Sequence, residues 1–394
     1  MADVRVSWFR PSVPGWTLAA AALSLLLFWG VARYYHPQYG FSGLILFNAG
    51  AHDREIAALQ GLPHYEYVGD AAYDGAFYAQ LALDPLLKDP AIDVALDNPP
   101  YRARRILFSW TAFALGLGRP AWILQAYALQ NLLSWVLLGV LMTRWLPLTS
   151  GRGFALWSAV MFSHGLLVSI RFAVLDGPSM LLLALAIAAS ERGGTWLSAA
   201  LAGIAALGRE TNVLVAAALP LPQGWRGWLR LAAAGLLVLG PLLIWQDYLW
   251  SIYRGTSAAE GLGHITPPLQ AYLHKWRVTL AGLGETGLAG APFSGFCTTA
   301  ALTVQLLYLG ISRRWREPWW RLAAAFGVLM LVVNDAVWEG YPGAATRVLL
   351  PLTFGFNVLL AQEGRGFWWW FVAGNLHLLP ARAILPFPWL PPPY

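Results

Sequence analysis

Charged residues are scarce in this sequence: Asp, Glu, Lys and Arg make up 12% of its 394 residues, against about 25% in a soluble domain. So little charge cannot cover a globule of this size, and a water-soluble protein is excluded. Cysteine is rarer still. The single Cys297 rules out an internal disulfide and any multi-cysteine metal centre. No glycine-rich phosphate loop and no Gly-x-Ser-x-Gly elbow occurs, so nucleotide-driven and serine-hydrolase chemistry have no support. No repeat of fixed period is present, and the one low-complexity tract is Pro391-Pro392-Pro393.

Apolar residues are abundant, at 58% of the chain, and 22 are tryptophan. A helix needs roughly 20 apolar residues to cross the hydrocarbon core, and indole rings favour its interfaces. Trp319-Trp320 and Trp368-Trp369-Trp370 stand at the edges of apolar runs. The pattern predicts an all-α polytopic membrane protein, one domain over 1–394. Helices are expected near 16–34, 121–142, 154–171, 177–190, 195–207, 211–222, 229–249, 297–312, 319–336, 346–361 and 367–380, about eleven spans. Arg5 and Arg10 precede the first run, which ends at Arg33 without a small-residue cleavage site, so it reads as an uncleaved helix.

Two long loops interrupt the pattern. The first, 35–105, extends to 120 with the segment that follows it. It holds Asp53, Glu55, Glu66, Asp70, Asp74, Asp84, Asp89, Asp93 and Asp97, nine of the chain's 20 acidic residues. The second, 250–296, is glycine-rich and contains His264, His274, Lys275 and Arg277. Lys and Arg collect in cytoplasmic loops, which also accounts for the net charge of +6 without nucleic acid. With the N-terminus inside, Arg144, Arg152, Arg192, Arg226, Arg230, Arg313, Arg314, Arg316, Arg321 and Arg365 fall inside. The short outer turns keep Arg171, Arg209 and Arg347. This parity requires 106–118 to lie in the interface instead of crossing.

Ionisable residues near membrane depth are costly and mark function. Asp74-Gly75 opens an amphipathic helix, where Asp74 reads either as a helix cap or as a functional carboxylate. Arg102, Arg104 and Arg105 follow Asn98-Pro99-Pro100-Tyr101 and suit either phosphate binding or headgroup anchoring. Asp176 precedes Gly177-Pro178, where a helix restarts. Arg209-Glu210 divides two apolar runs, and Arg347 follows Gly340-Tyr341-Pro342-Gly343. Each alone is explained by turns or snorkelling; their shared outward face argues for the set. The seven histidines (His36, His52, His64, His164, His264, His274 and His377) show no metal-ligand spacing.

These segments resemble the GT-C superfamily of membrane glycosyltransferases, in particular the lipid A aminoarabinose transferases and protein O-mannosyltransferases. Asp74-Gly-Ala-Phe-Tyr78-Ala-Gln-Leu-Ala82 resembles the family's Asp-Glu-x-Arg-Tyr-Ala-x-x-Ala. Pro99-Pro100-Tyr101 resembles its Pro-Pro-Leu-Tyr-Tyr-Trp, and Leu175-Asp176-Gly177-Pro178 its Asp-x-Pro-Leu turn. Gly203-Ile-Ala-Ala-Leu-Gly-Arg209 resembles Gly-Leu-Ala-x-Leu-Thr-Lys, and Arg347-Val-Leu-Leu-Pro351 a late Tyr-x-Leu-Pro helix. Tyr73-Asp-Gly-Ala-Phe-Tyr78 is also similar to a Tyr-Asp-Gly-x-Phe-Tyr segment of bacterial cell-surface glycopolymer proteins. Gly75 replaces the family's second acid, and Arg209 stands where lysine is usual.

The resemblance implies transfer of a sugar from a polyprenyl-phosphate donor to a glycan, lipid or protein acceptor, on the periplasmic or outer face of a bacterial inner membrane. Asp74 becomes the catalytic base, aided by Asp70. Arg102, Arg105, Arg209 and Arg347 become the donor-phosphate ligands, with Asp176, Glu210, Tyr78 and Tyr341 in support. No cofactor and no metal are expected, because a lipid monophosphate lacks the pyrophosphate that recruits Mg²⁺ or Mn²⁺. A transporter or lipid-sugar flippase is the alternative, and a non-catalytic assembly subunit a third.

Overall fold

A computed structural model describes residues 15–69, 73–254, 265–288, 290–340 and 343–384. Arg5, Arg10, Asp70, His264, Tyr341 and Pro391–Pro393 lie outside the described residues. Gly15–Ala32 (α1) enters the first loop. There Phe47–Asn48 (β1) and Glu66–Tyr67 (β2) pair in parallel across a 3-10 turn at Ala49–Arg54. Asp74–Leu83 (α2), Pro99–Ala103 (α3) and Leu107–Leu115 (α4) complete the loop. Pro120–Met142 (α5), Gly151–Met161 (α6), His164–Arg171 (α7), Asp176–Glu191 (α8) and Thr195–Ala206 (α9) follow. A 3-10 helix at Glu210–Ala218 leads to Gly224–Ile252 (α10). Then come Gln270–Thr286 (α11), Gly290–Ser312 (α12), Pro318–Val332 (α13), Ala344–Val348 (α14), Leu350–Leu360 (α15) and Phe367–Gly374 (α16), with four-residue turns between some of them.

The chain is an all-α membrane protein apart from the two-residue strands. Helices α1, α5, α10 and α12 are long and apolar enough to cross a bilayer, and α6 with α7 makes a fifth span if the 46° bend between them is one crossing. About eleven spans were expected; α9, α13 and α15 are apolar but shorter than 18 residues. The differences have local causes. The run expected at 211–222 is a 3-10 helix that stops before Pro220 and Pro222. The run at 346–361 divides at Leu349, with Pro351 in the first turn of α15, where its missing N–H costs nothing. The second loop contains α11, a helix the reading of 250–296 as a loop omits. Its faces carry His274 and Lys275, which pair with Asp335 at 2.9 Å and Glu339 at 2.7 Å.

Local chemistry fixes the elements of the first loop. Asn98 caps α3, its side chain accepting the Tyr101 N–H at 3.1 Å, with Pro99 and Pro100 at the first positions. The helix expected in the interface at 106–118 forms as α4, ending at Gly116. A second hydrophobic core, separate from that of the main bundle, packs Ile56, Leu59, Tyr78, Leu81, Ile106 and Phe108 against Tyr127 of α5 and Trp245 of α10. The first loop is therefore a folded cap on one end of the bundle.

Candidate functional site: a buried network of ion pairs

Helix α2 begins at Asp74 because Gly75 permits close approach: a Cβ there would lie 2.3 Å from the Phe172 carbonyl oxygen. Any larger residue at position 75 would collide with that carbonyl. The turn it meets is held from inside the bundle. Tyr127 donates to the Ala173 carbonyl at 2.8 Å, and Asn131 to that of Val174 at 2.9 Å. Ser169 Oγ accepts the Gly177 N–H at 2.8 Å, fixing the first turn of α8. Ala173 takes a positive φ of 46°, a sparsely populated conformation for a residue with a Cβ. Asp176, the first residue of α8, is thereby set facing the start of α2.

Asp74 does not cap its own helix. Its Oδ1 accepts from Arg102 Nη1 at 2.7 Å, and its Oδ2 lies 3.5 Å from Arg347 Nη1. The cap reading is thus replaced by a long-range one: a charge-assisted bond to a guanidinium is roughly twice as strong as a neutral one. Arg102 also grips Asp97 through two bonds, Nε and Nη2, each 2.7 Å. Arg347 Nη1 reaches Asp176 Oδ2 at 3.4 Å, and Arg209 donates to the other Asp176 oxygen. Beside this chain, Arg105 binds Glu210 at 2.9 Å, the Tyr101 hydroxyl at 2.7 Å and the Tyr78 hydroxyl at 3.3 Å. The rings of Phe77 and Tyr101 cover Arg102 and Arg105 at 4.8 and 4.4 Å.

Four guanidinium groups therefore meet four carboxylates, drawn from α2, α3, α8, α14 and the segments around them. Burial raises the Asp74 carboxyl, but Arg102, Arg347 and Arg105 outweigh it and hold the group down at about 2. Exposure is graded across the network. Asp176 and Arg347 side chains are 3% and 6% exposed, whereas Asp74 is 25% exposed. Below Asp176, Arg209 and Arg347 the cavity measures only about 10 Å³, the space of one water. The exposed members of the network are Asp74, Asp97 and Glu210, at 25%, 47% and 27%.

The residues expected to converge do so in two adjacent groups: ion pairs join Asp74, Arg102, Arg347, Asp176 and Arg209, and Arg105 joins Glu210 and Tyr78, whose ring lies 5.8 Å from the Arg102 guanidinium. Asp70 and Tyr341 lie outside the described residues. The sequence reading missed Asp97 as a partner and gave Arg171 only a place in an outer turn. Arg171 is buried and, among the described residues, forms no ion pair. Its N–H groups reach the Gly43 carbonyl at 3.2 Å and the Tyr67 hydroxyl at 3.1 Å. Phe172 and Tyr73 stack between it and Arg347. Two of the histidines are brought together by the fold: His52, Glu55, His64 and Glu66 have donor atoms all within 4.8 Å of one another. The spacing His-x-x-Glu and His-x-Glu was the available signal.

Comparison with family models, with curated proteins and with solved structures finds no match to the chain.

Proposed function

We propose that this chain is a membrane glycosyltransferase of the GT-C kind, moving a sugar from a polyprenyl-phosphate donor to a cell-surface acceptor on the non-cytoplasmic face. The observation that carries the reading is the joining of Asp74, Arg102, Arg347, Asp176 and Arg209 from five separate segments of the chain. A membrane protein that merely anchors itself has no need of ionic groups buried together, since a buried pair gains little over apolar packing.

In the proposed reaction the acceptor hydroxyl gives its proton to the Asp74 carboxylate as its oxygen bonds the anomeric carbon. The bond from that carbon to the phosphate oxygen breaks, and the phosphate leaves with the electron pair. Guanidinium groups neutralise the growing charge, an electrostatic contribution often larger than that of the base. With both arginines in place Asp74 is a weak base, because a base works best with its pKa near the working pH. Donor binding resolves this. A phosphate entering from the exposed side takes N–H groups of Arg102 and Arg347 away from Asp74, and the carboxylate regains basicity as its cations turn to the donor. Asp97 and Asp176 keep the two guanidinium groups aligned during the exchange. Polyprenyl chain and acceptor would lie along the apolar surface beside α4.

A transporter would place broken helices in matching halves. Among the described residues one bent helix pair, α6 and α7, is together long and apolar enough to span, and the break at Leu349 separates a helix of only five residues, so the enzyme is the reading we favour. Mass-spectrometric profiling of surface glycans in a strain carrying Asp74→Asn tests the proposal. The product is expected to vanish in that strain and to return with the wild-type gene; an unchanged profile would remove Asp74 as the base.

A further inference from the structure

The first loop holds a second polar cluster that the ion-pair network does not use. His52 and Glu55 lie at the end of the Ala49–Arg54 turn, and His64 and Glu66 lie at the start of β2. The parallel pairing of β1 with β2, Phe47 opposite Glu66, brings the two pairs together. His52 Nδ1 stands 3.4 Å from Glu55 Oε2 and 2.5 Å from Glu66 Oε1. His64 Nε2 stands 3.4 Å from Glu55 Oε2 and 3.2 Å from Glu66 Oε1.

His52 Nδ1 and Glu66 Oε1 share a hydrogen bond, but the bonds of the other two side chains do not close. The side chains of His64 and Glu55 are each 3% exposed, yet His64 Nε2 and Glu55 Oε2 have no hydrogen-bond partner. His64 Nδ1 is 2.8 Å from the Leu62 carbonyl oxygen, which can only accept, so Nδ1 carries the hydrogen. Nε2 is then free to present its lone pair to carboxylate oxygens, an arrangement that is repulsive without a cation between them. A proton on Nε2 would make no well-formed hydrogen bond to either oxygen. A metal ion suits the same geometry, because ligands around it lie off the ring axis. Bonds of about 2.0–2.2 Å in tetrahedral array separate ligand atoms by about 3.4 Å, and three of the four spacings above are 3.2 to 3.4 Å. The fourth, between His52 and Glu66, opens by about an ångström to match. The Leu62 carbonyl orients His64 as backbone carbonyls orient metal-bound imidazoles.

We propose that His52, Glu55, His64 and Glu66 bind one divalent transition-metal ion, zinc by the character of two imidazoles and two carboxylates. All four protein ligands close the coordination sphere, so the ion is structural. It staples residues 52–66 onto the cap, where the Ile56 N–H already donates to Gln80 of α2 at 3.0 Å. The ion thus braces the helix that carries Asp74 without touching the network, and this inference stands apart from the glycosyltransferase reading.

The test uses the full chain with a histidine-free tag, purified in detergent, stripped with chelator and titrated with Zn²⁺ and Co²⁺. One ion per chain is expected, with the visible absorption of tetrahedral cobalt and a raised melting temperature. His52→Ala, at a half-exposed position, and Glu66→Gln should each weaken binding at least about tenfold while leaving the helical circular dichroism intact. Asp74→Asn should bind the ion as the wild type does. Failure of the wild type to bind one equivalent overturns the proposal, as does equal affinity in His52→Ala and Glu66→Gln. Loss of binding in Asp74→Asn alone would move the ion to the arginine network and likewise overturn it.

Discussion

Helix α8 carries a carboxylate at each end, and the two are treated differently. At its start, Asp176 is 3% exposed and meets Arg209 and Arg347, themselves 15% and 6% exposed. About 24 Å away, Glu191 is 21% exposed and pairs with Arg144, which is 40% exposed, at 3.2 Å. Trp145 adds an indole N–H to Glu191 at 2.8 Å. The second arrangement is what an interfacial helix end requires: a snorkelling arginine, an indole and a loose surface pair. Such pairs contribute little to stability. The first arrangement spends desolvation on charges that gain little in return, so folding alone does not account for it. The comparison is why the Asp176 end is the one proposed for function.

Four substitutions or conditions break or sharpen the contrast. Asp74→Asn should lower sugar transfer by about 10²–10⁴-fold, measured as product formed by membranes given the donor lipid, whereas Glu191→Gln should leave it unchanged. Asp176→Asn leaves Arg209 and Arg347 buried with their main counter-charge gone. It should cost about 3–5 kcal/mol, seen as a large drop in unfolding temperature in detergent.

Acid gives a third, smaller effect. The Asp74 carboxyl is lowered from 3.8 to about 2 in the folded chain. A depressed carboxylate stabilises the fold fully above the unfolded value and loses that contribution as pH falls through the folded one. About 2 kcal/mol of stability should therefore disappear between pH about 4 and about 2, and the wild-type unfolding curve should lose this step in Asp74→Asn. Glu191→Gln marks the small end of the series: under about 1 kcal/mol, and less in high salt.

The residue types of the site were legible in the sequence, and the pairings were not. Asp74 opening a helix, Asn98 with two prolines opening another, and a restart at Asp176 are local events, the second governed by capping and by the missing proline N–H. The partner of Asp74 sits 28 residues away in Arg102, and that of Asp176 sits 171 residues away in Arg347. Periodicity carries no information about such contacts, which is why the cap reading of Asp74 stood open. The same blindness hid the His52–Glu66 cluster, because a two-residue parallel pairing assembles it. Helix α11 was missed for a different reason: His274, Lys275, Arg277 and Glu285 interrupt it, so it lacks the apolar density on which the membrane reading relied. Span lengths were overstated wherever a break falls inside an apolar run, at Phe162-Ser163 and at Leu349.

The account rests on the network at the Asp176 end receiving a lipid phosphate. Cryo-electron microscopy of the chain in nanodiscs with a polyprenyl monophosphate would show this directly. Density for the phosphate between Asp74 and the guanidinium groups of Arg102 and Arg347, with at least one of them turned from its carboxylate, is the predicted result. A phosphate bound elsewhere while the ion pairs of Asp74 with Arg102 and Arg347 stay closed would contradict it.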